Sequence, residues 1–234
     1  MESGYVLITG ITGYLGSVVV KHALEAGYRV KGTMRNPKDE GKVAALRAAY
    51  GEMFERITLV SMDLNDRDSI IEATKDVDFI LHVASPVGMI GKDDFYIKPA
   101  VEGTKAILEG AKLHKVKRVI ITSSVATIFD EGLSKKEIYD ESHFNSINKK
   151  TPAYVKSKIL AEKAIFEFLE KEKPEFTICT LHPSLILGPG VLQDPTSSMK
   201  AIKDFMNKKY PAVPKFYFGT IDVRDLAAAH IKAL

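Results

Sequence analysis

The stretch Tyr5-Val6-Leu7-Ile8-Thr9-Gly10-Ile11-Thr12-Gly13-Tyr14-Leu15-Gly16 decides the fold of this 234-residue chain. Its apolar, β-branched beginning predicts a buried strand, and the segment that follows it predicts a helix. In a turn of this kind Gly10 permits the tight bend, Gly13 lets the backbone approach a pyrophosphate, and Gly16 allows the helix to pack closely on the strand. The alternative is an ordinary glycine-rich turn between a strand and a helix.

The same alternation of strand and helix continues along the chain. Strands are predicted at residues 5–9, 29–34, 57–60, 79–83, 119–123 and 176–181. Helices are predicted at residues 14–26, 42–50, 68–74, 99–114 and 152–170. This order predicts an α/β fold of Rossmann type, a doubly wound parallel sheet that binds ligands at the carboxyl ends of its strands.

The texture of the sequence changes after Leu181, where proline and glycine become frequent. We therefore predict a dinucleotide-binding domain at residues 1–181 and a smaller, partial substrate-binding region at residues 182–234. The chain stops inside a helical pattern at residues 222–234, without a capping glycine, so a further C-terminal portion is expected.

Composition restricts the partners and the compartment. Hydrophobic residues make up 45% of the chain, charged residues 27%, and the net charge is only +3 with both signs interspersed, so nucleic acid is not an expected partner. No apolar run approaches the roughly 18 residues of a membrane span, and the first strand leaves no room for a signal peptide. The single cysteine, Cys179, fits a reducing compartment, and the six histidines show no metal-ligand spacing. A cytoplasmic protein without a metal site is expected.

The end of the second predicted strand carries an arginine where dinucleotide-binding folds commonly have an acidic residue. Arg35 is followed by Lys38 and Lys42. A guanidinium cannot accept a hydrogen bond from ribose hydroxyls, but it can bind a 2′-phosphate and stack on adenine. The sequence therefore favours NADPH over NADH, with a solvated basic loop as the alternative.

Two further strand ends are candidates for the nucleotide site. Asp63 follows the third strand, where its carboxylate could accept from an adenine amino group or could cap a helix. The short run from Val83 through Ala84 and Ser85 ends the fourth strand and is small enough for a dinucleotide to lie across it.

A proton donor is indicated by Tyr154 and Lys158, which lie four residues apart on a predicted helix and so share one face. A cation beside a phenol stabilises the phenolate and lowers a pKa that is otherwise near 10. The alternative is an amphipathic helix with a surface tyrosine and lysine.

Together these residues make the chain resemble the extended short-chain dehydrogenase/reductases, in particular the group of dihydroflavonol reductases, anthocyanidin reductases and fungal NADPH-dependent aldehyde and ketone reductases. The motifs that carry the resemblance follow the family's order over nearly the whole chain: Thr9 to Gly16, Arg35, Leu81 to Pro86, Lys98 to Thr104, Thr122 to Ser124, Tyr154 to Lys158 with Ala161-Glu162, His182 to Ser184, and Ile221 to Asp225.

The resemblance implies roles for single residues. Tyr154 would protonate the carbonyl oxygen, Lys158 would lower the pKa of Tyr154 and bind the nicotinamide ribose, and Ser124 would orient the same oxygen. Ser123 is the rival for the serine role, but strand alternation turns it to the other side. Cofactor contacts are expected from Gly10, Thr12, Gly13, Tyr14, Leu15, Gly16, Arg35, Lys42, Asp63, Leu64, Val83, Ala84, Ser85, Tyr154, Lys158, Pro183 and Ser184.

Three departures from the family's patterns exclude some of the family's reactions and substrates from the expected activity. Ala100 stands where many extended members have an asparagine, so a proton relay through that amide is not expected. Val125 and Ala126 follow the serine, where sugar-nucleotide dehydratases have acidic residues. The residues before Tyr154 also differ from the Asn-Trp-Tyr-Cys-Tyr segment of cinnamoyl-CoA reductases, which disfavours that substrate class.

The expected function is NADPH-dependent reduction of a ketone or aldehyde, with a substrate pocket lined by residues 85–87, 125–128 and 183–187. An epimerase or 3β-hydroxysteroid-type dehydrogenase is the alternative within the family, and a non-catalytic dinucleotide-binding sensor is the alternative outside enzymes. Members of the family are monomers or homodimers that pair through the helices before the fifth and sixth strands.

Overall fold

A computed structural model describes residues 4–86, 93–129, 138–192, 197–209, 212 and 219–234. The strands are β1 Tyr5–Ile8, β2 Arg29–Met34, β3 Ile57–Ser61, β4 Phe79–His82, β5 Arg118–Thr122, β6 Thr177–Leu181, β7 Leu185–Leu187 and β8 Thr220–Asp222. The helices are α1 Tyr14–Glu25, α2 Glu40–Tyr50, α3 Arg67–Ala73, α4 Asp93–Leu113, α5 Ala153–Glu172, α6 Ser197–Met206 and α7 Val223–Lys232. None of these helices combines the length and the apolar composition that crossing a membrane requires.

The main sheet has the strand order β3-β2-β1-β4-β5-β6, and its neighbouring strands all pair in parallel. The direction of winding reverses between β1 and β4, which is where doubly wound sheets bind ligands. The Rossmann-type fold expected from the sequence is confirmed. A second, two-stranded parallel sheet pairs β7 with β8.

Alternating residues of the strands supply two hydrophobic layers. On β1, Val6 and Ile8 belong to the layer that holds α1, α2 and α7, whereas Leu7 belongs to the layer that holds α3, α4 and α5. The side chains of Val6, Leu7 and Ile8 are all fully buried, as expected for a central parallel strand with helices on both faces.

The C-terminal helix α7 shares the core of the nucleotide-binding part of the chain. Val223, Leu226 and Ala227 are buried in the same layer as α1 and β1. The predicted domain boundary at residue 181 therefore coincides with the end of the main sheet. The division of the chain into two domains stays a prediction.

The predicted start of α4 at Pro99 is wrong. In the structure Pro99 lies inside α4, which includes residues from Asp93 onward. A proline is favoured in the first helical turn, so the sequence pattern suggested a helix start there. Tyr96 and Ala100, both buried and one turn apart, pack this part of α4 into the protein and favour helix on both sides of the proline.

Candidate active site

The glycine turn at the end of β1 is shaped for close approach of a ligand to the backbone. Gly10 has φ +70°, and a Cβ on it would lie 3.0 Å from the Cβ of Ala84. A Cβ on Gly16 would overlap the carbonyl oxygen of Gly10, which explains why the helix can follow the strand so closely. A Cβ on Gly13 would meet only the Gly10 oxygen, at 3.2 Å, and otherwise open space. Such an open glycine cradle fits a pyrophosphate.

The first turn of α1 suits an anion electrostatically. Gly13 is the N-cap residue and provides no side-chain cap, and the first turn contains no acidic residue. The N–H groups of a helix N-terminus and the helix dipole both favour a negatively charged group at this position. Thr12 is half-buried and Gly13 is exposed. The turn can therefore hold the phosphates of a dinucleotide.

The side chains of Tyr14 and Leu15 do not face the phosphate cradle. The Tyr14 phenol donates a hydrogen bond of 2.6 Å to the Gly188 carbonyl, and Leu15 is buried in the core. Burial raises the pKa of Tyr14, and the nearby charge of Asp222 raises it further. These two residues can reach a cofactor only through their backbone.

Two threonines that the sequence analysis missed hold the turn in place. The Thr9 hydroxyl accepts hydrogen bonds from Val83 N at 3.0 Å and Ala84 N at 2.8 Å, so its own proton is donated to His82 Nδ1 at 3.0 Å. The Thr33 hydroxyl accepts from Gly10 N at 3.0 Å. Their position at the ends of two neighbouring parallel strands is the signal that could have identified them.

The adenosine end of the predicted site lies beyond β2 and β3. Arg35 is exposed directly after β2, and its carbonyl accepts from Ser61 Oγ at 3.1 Å. Lys42 forms an ion pair of 3.3 Å with Asp39, whose carboxylate caps α2. The exposed Arg35 guanidinium is thus placed where the sequence analysis expects a 2′-phosphate.

Asp63 and Leu64 lie at the end of the neighbouring strand β3. The Asp63 Oδ1 atom accepts from the backbone N–H of Asn65 at 2.8 Å, and the side chain that caps α3 is that of Asp66. Leu64 is half-buried, and a Cβ on Gly103 would lie 3.2 Å from its Cδ2 atom. Asp63 is therefore engaged in a local turn, while Leu64 lies beside α4.

Ser124 and Tyr154 are brought together although they are 30 positions apart in the sequence. The Ser124 hydroxyl lies beside the Tyr154 phenol and accepts from Ala126 N at 3.2 Å. Burial raises the pKa of Tyr154, and the neighbouring Ser124 hydroxyl lowers it only in part. The phenol is therefore protonated at neutral pH and is able to donate a proton.

Lys158 is buried one helical turn beyond Tyr154, and its ammonium donates to the Thr122 carbonyl at 3.1 Å. Burial lowers the pKa of Lys158 to about 8, although the charge of Glu162 raises it. The expected lowering of the Tyr154 pKa by Lys158 is not seen in the structure: burial raises this pKa, and the opposing contribution comes from Ser124.

A narrow cavity connects the ends of β4 and β5 with α5. Its lining comprises His82, Ala84, Ser85, Ala100, Thr104, Ile121, Thr122, Ser123, Lys158, Ala161, Glu162 and Ile165. Burial and, to a smaller extent, the charge of Lys158 together lower the pKa of His82 to about 3. His82 is therefore neutral. Because its Nδ1 atom accepts the hydrogen bond from the Thr9 hydroxyl, the imidazole hydrogen is on Nε2.

Ser123 and His182 hydrogen-bond the same buried carboxylate rather than Tyr154. Ser123 Oγ donates to Glu162 Oε2 at 2.6 Å, and His182 Nε2 lies 2.7 Å from Glu162 Oε1. Glu162 belongs to the Ala161-Glu162 part of the family motif, from which no role was predicted for it. Its spacing of four residues from Lys158 is the signal that could have identified it.

The predicted substrate side is described in part. The backbone N–H of Val125 donates to the Pro183 carbonyl at 3.1 Å, which ties the turn after Ser124 to the segment after β6. Val125 is 38% exposed beside Ser124, and Ser184 lies next to Gly219. Residues 185–187 form β7, whereas residue 87 lies outside the described residues. The partly exposed Val125 side chain is thus the apolar neighbour that the structure shows for Ser124.

Several known proteins resemble this chain in sequence and fold. A family model described as 3-beta hydroxysteroid dehydrogenase/isomerase matches residues 7–234. Cinnamoyl-CoA reductase 1 of Arabidopsis thaliana is 35% identical over 97% of this chain and 65% of its own length. Anthocyanidin reductase of the same plant is 33% identical over 96% of this chain and 70% of its own length.

A solved structure of yeast methylglyoxal/isovaleraldehyde reductase Gre2 complexed with NADPH superposes with a TM-score of 0.86 at 28% identity, covering 98% of this chain and 74% of Gre2. The chain thus spans 65% to 74% of the lengths of these three relatives. On the match of the family model and of relatives above 30% identity, the chain belongs to the 3-beta hydroxysteroid dehydrogenase/isomerase family, within the extended short-chain dehydrogenase/reductases that the motifs indicate.

Proposed function

We propose that this chain is an NADPH-dependent reductase that transfers a hydride to the carbonyl of a ketone or aldehyde. The observation that carries the proposal is that Ser124 and Tyr154 lie side by side near the buried Lys158, at the carboxyl end of β5 and at the same edge of the sheet as the glycine turn. The relatives named above are reductases by name, and Gre2 is a reductase complexed with NADPH.

In this proposal each group of the site has a separate task. The NADPH nicotinamide supplies the hydride when it is bound. The Tyr154 phenol, protonated because burial raises its pKa, donates a proton to the carbonyl oxygen. Ser124 orients that oxygen, and Lys158 provides a positive charge that stabilises the phenolate left behind. General acid catalysis of this kind contributes about 10²- to 10⁴-fold in rate.

The chain's own groups fit the cofactor at both ends. The open Gly13 cradle and the uncapped first turn of α1 suit the pyrophosphate. Arg35 would bind the 2′-phosphate that distinguishes NADPH from NADH. Residues Val83 to Ser85 follow β4, which lies between β1 and β5 in the sheet, as expected for a dinucleotide that crosses the end of β4 between the glycine turn and the Ser124 segment.

The decisive experiment compares carbonyl-dependent oxidation of NADPH by the wild type and by Tyr154→Phe, over a panel of aldehydes and ketones. We expect turnover by the wild type and a loss of about 10²-fold or more in Tyr154→Phe, with NADPH binding retained. Tyr28→Phe removes a phenol whose ring packs on Phe79 at the amino ends of the parallel strands, whereas Ser124 follows the carboxyl end of β5, and this variant should keep full activity. Equal turnover by the wild type and Tyr154→Phe would contradict the proposal.

The choice of cofactor is tested by Arg35→Ala. We expect the mutant to lose most of the preference for NADPH over NADH, a change of roughly 1.5–3 kcal/mol for a charge-assisted hydrogen bond. Arg29→Ala is the matched control, because Arg29 is an exposed arginine at the opposite end of β2. Isothermal titration calorimetry with both nucleotides measures the ratio of the dissociation constants for NADH and NADPH. An unchanged ratio in Arg35→Ala would show that Arg35 does not bind the 2′-phosphate.

A second candidate function is the oxidation of an alcohol, because the matching family model is described as a dehydrogenase/isomerase family. Reduction of NADP⁺ by a hydroxysteroid, in the absence of carbonyl turnover, would favour this alternative. Tight binding of NADPH without turnover in either direction would instead indicate a dinucleotide sensor.

A further inference from the structure

A buried carboxylate lies directly behind the proposed active site. The side chain of Glu162 is 5% exposed and lies one helical turn beyond Lys158 on α5. Tyr154, Lys158 and Glu162 follow one another at intervals of four residues, so they form a row along one face of the helix. A carboxylate at this depth is stable only when hydrogen bonds and nearby positive charge compensate for its loss of water.

The hydrogen bonds of Glu162 reach the two strands on either side of the site. Ser123, at the end of β5, donates to one carboxylate oxygen at 2.6 Å. His182, directly after β6, lies 2.7 Å from the other through its Nε2 atom. Because Ser123 immediately precedes Ser124, the contact sets the distance between the Ser124 segment and the helix that carries Tyr154.

Glu162 is also a source of negative charge for Lys158. Among the described residues the buried acidic side chains are those of Glu162 and Asp204, and Asp204 pairs with Lys200 and Lys209. Lys158 and Glu162 both line the cavity, and the Lys158 ammonium donates its hydrogen bond to the Thr122 carbonyl. The attraction between the two charges therefore acts across the cavity and not through a direct ion pair.

The pKa directions agree with this arrangement. Burial lowers the pKa of Lys158 to about 8, and Glu162 raises it. Burial raises the pKa of Glu162, but the hydrogen bonds with His182 and Ser123 lower it more, so the carboxyl stays ionised at neutral pH. The other titratable groups that face the pair are His82 on β4, His182 after β6 and Tyr154 on α5.

We propose that Glu162 is a positioning residue of the Ser124, Tyr154 and Lys158 site: it holds Ser123 and His182, and its negative charge keeps the buried Lys158 ammonium protonated. The inference rests on the reductase function proposed above for the use of Lys158. A purely structural role would require the hydrogen bonds of Glu162 but not its charge, and this difference can be measured.

The test follows the titration of the Lys158 ammonium in the cofactor-free protein by NMR, with ¹³Cε-labelled lysine and assignment by Lys158→Arg. In Glu162→Gln, which keeps the shape but removes the charge, we expect the Lys158 midpoint to fall by about one pH unit or more. Ser123→Ala, which removes a hydrogen bond but keeps the charge, should leave the midpoint unchanged. Glu170→Gln, an equal charge change at an exposed position of α5, is the matched control and should also leave it unchanged.

The same midpoint in the wild type and in a folded Glu162→Gln would overturn the proposal. If Glu162→Gln does not fold, Glu162→Met removes the charge with an apolar side chain and must give the same downward shift. If neither variant folds, the coupling is read in reverse, because interactions between titrating sites are reciprocal. Lys158→Met must then raise the pKa of the ¹³Cδ-labelled Glu162 carboxyl, and an unchanged value would refute the coupling.

Two outcomes separate this inference from the proposed function. A shifted Lys158 midpoint in a protein that reduces no carbonyl would sustain the role of Glu162 and reject the reductase. For an active reductase, the alkaline limb of the kcat profile should move to lower pH in Glu162→Gln together with the midpoint. An active Glu162→Gln enzyme in which neither the Lys158 midpoint nor the alkaline limb moves would sustain the reductase and reject the role of Glu162.

Discussion

At the scale of single residues, burial decides which protonation states the site can use. The neutral His82 illustrates this: burial, assisted by the charge of Lys158, lowers its pKa from 6.5 to about 3. Below pH 6.5 the imidazole of His82 therefore binds a proton in the unfolded chain but stays neutral in the folded chain. The free energy of unfolding is highest above pH 6.5 and falls as the pH decreases toward 3.

When the pH is lowered from 8 to 5, we expect the protonation of His82 in the unfolded chain to decrease the free energy of unfolding by about 2 kcal/mol. Burial also lowers the pKa of His230, so the wild type should lose more than this. His82→Asn keeps an acceptor for the Thr9 hydroxyl but cannot take up a proton, and its stability should depend less on pH. Urea unfolding at several pH values measures the slopes. An equally steep slope in His82→Asn would contradict the argument.

At the scale of helices and strands, a glycine is replaceable only where its surroundings leave room for a Cβ. In α2, a Cβ on the exposed Gly41 would lie 3.6 Å from Asp39 Oδ1, an ordinary contact. In α4, a Cβ on Gly110 would overlap the Thr74 hydroxyl, which packs α3 against α4.

Gly41→Ala should therefore stabilise the protein by about 0.5 kcal/mol, because it lowers the conformational entropy of the unfolded chain. Gly110→Ala should destabilise it by about 1–3 kcal/mol, since α3 and α4 must separate. Thermal and urea unfolding of the two variants provide the comparison. Equal effects of the two substitutions would mean that helix propensity alone, and not helix packing, determines the outcome.

At the scale of the whole molecule, the C-terminal helix belongs to the central core. Leu226 of α7 is 2% exposed and packs in the layer of α1 and β1, and His230 joins α7 to β5. The His230 Nδ1–H donates to the Leu226 carbonyl at 2.8 Å, so its Nε2 accepts from the Thr122 hydroxyl at 2.8 Å. The backbone carbonyl of the same Thr122 holds the Lys158 ammonium.

Leu226→Ala should cost about 2–5 kcal/mol, the range for a leucine truncated in a packed core. Because α7 shares this core, unfolding should stay a single transition in which far-UV circular dichroism and tyrosine fluorescence coincide. Met206→Ala in α6 is the control, since Met206 is 78% exposed and should change stability by less than about 0.5 kcal/mol. Separate transitions for the two probes would show that α7 folds independently.

The sequence by itself determined the Rossmann-type sheet, the glycine turn and the family, because these depend on local information. Strand and helix periods differ, and a glycine motif is recognisable from its spacing. The pairing of Ser124 with Tyr154 was also accessible, since it needed only the order of the motifs. The position of α4 was less accessible, because buried residues on both sides of Pro99 override its local preference.

Only the tertiary structure decided how the groups around the site are paired and charged. The contacts of Glu162 with Ser123 and His182, of Tyr14 with Gly188, and of His230 with Thr122 join distant parts of the chain. The burial of Tyr154 and Lys158, which moves both pKa values, likewise depends on what packs over them. Local sequence patterns contain no information on which distant side chains exclude water from a given group, and that exclusion determines the protonation states on which the proposed chemistry depends.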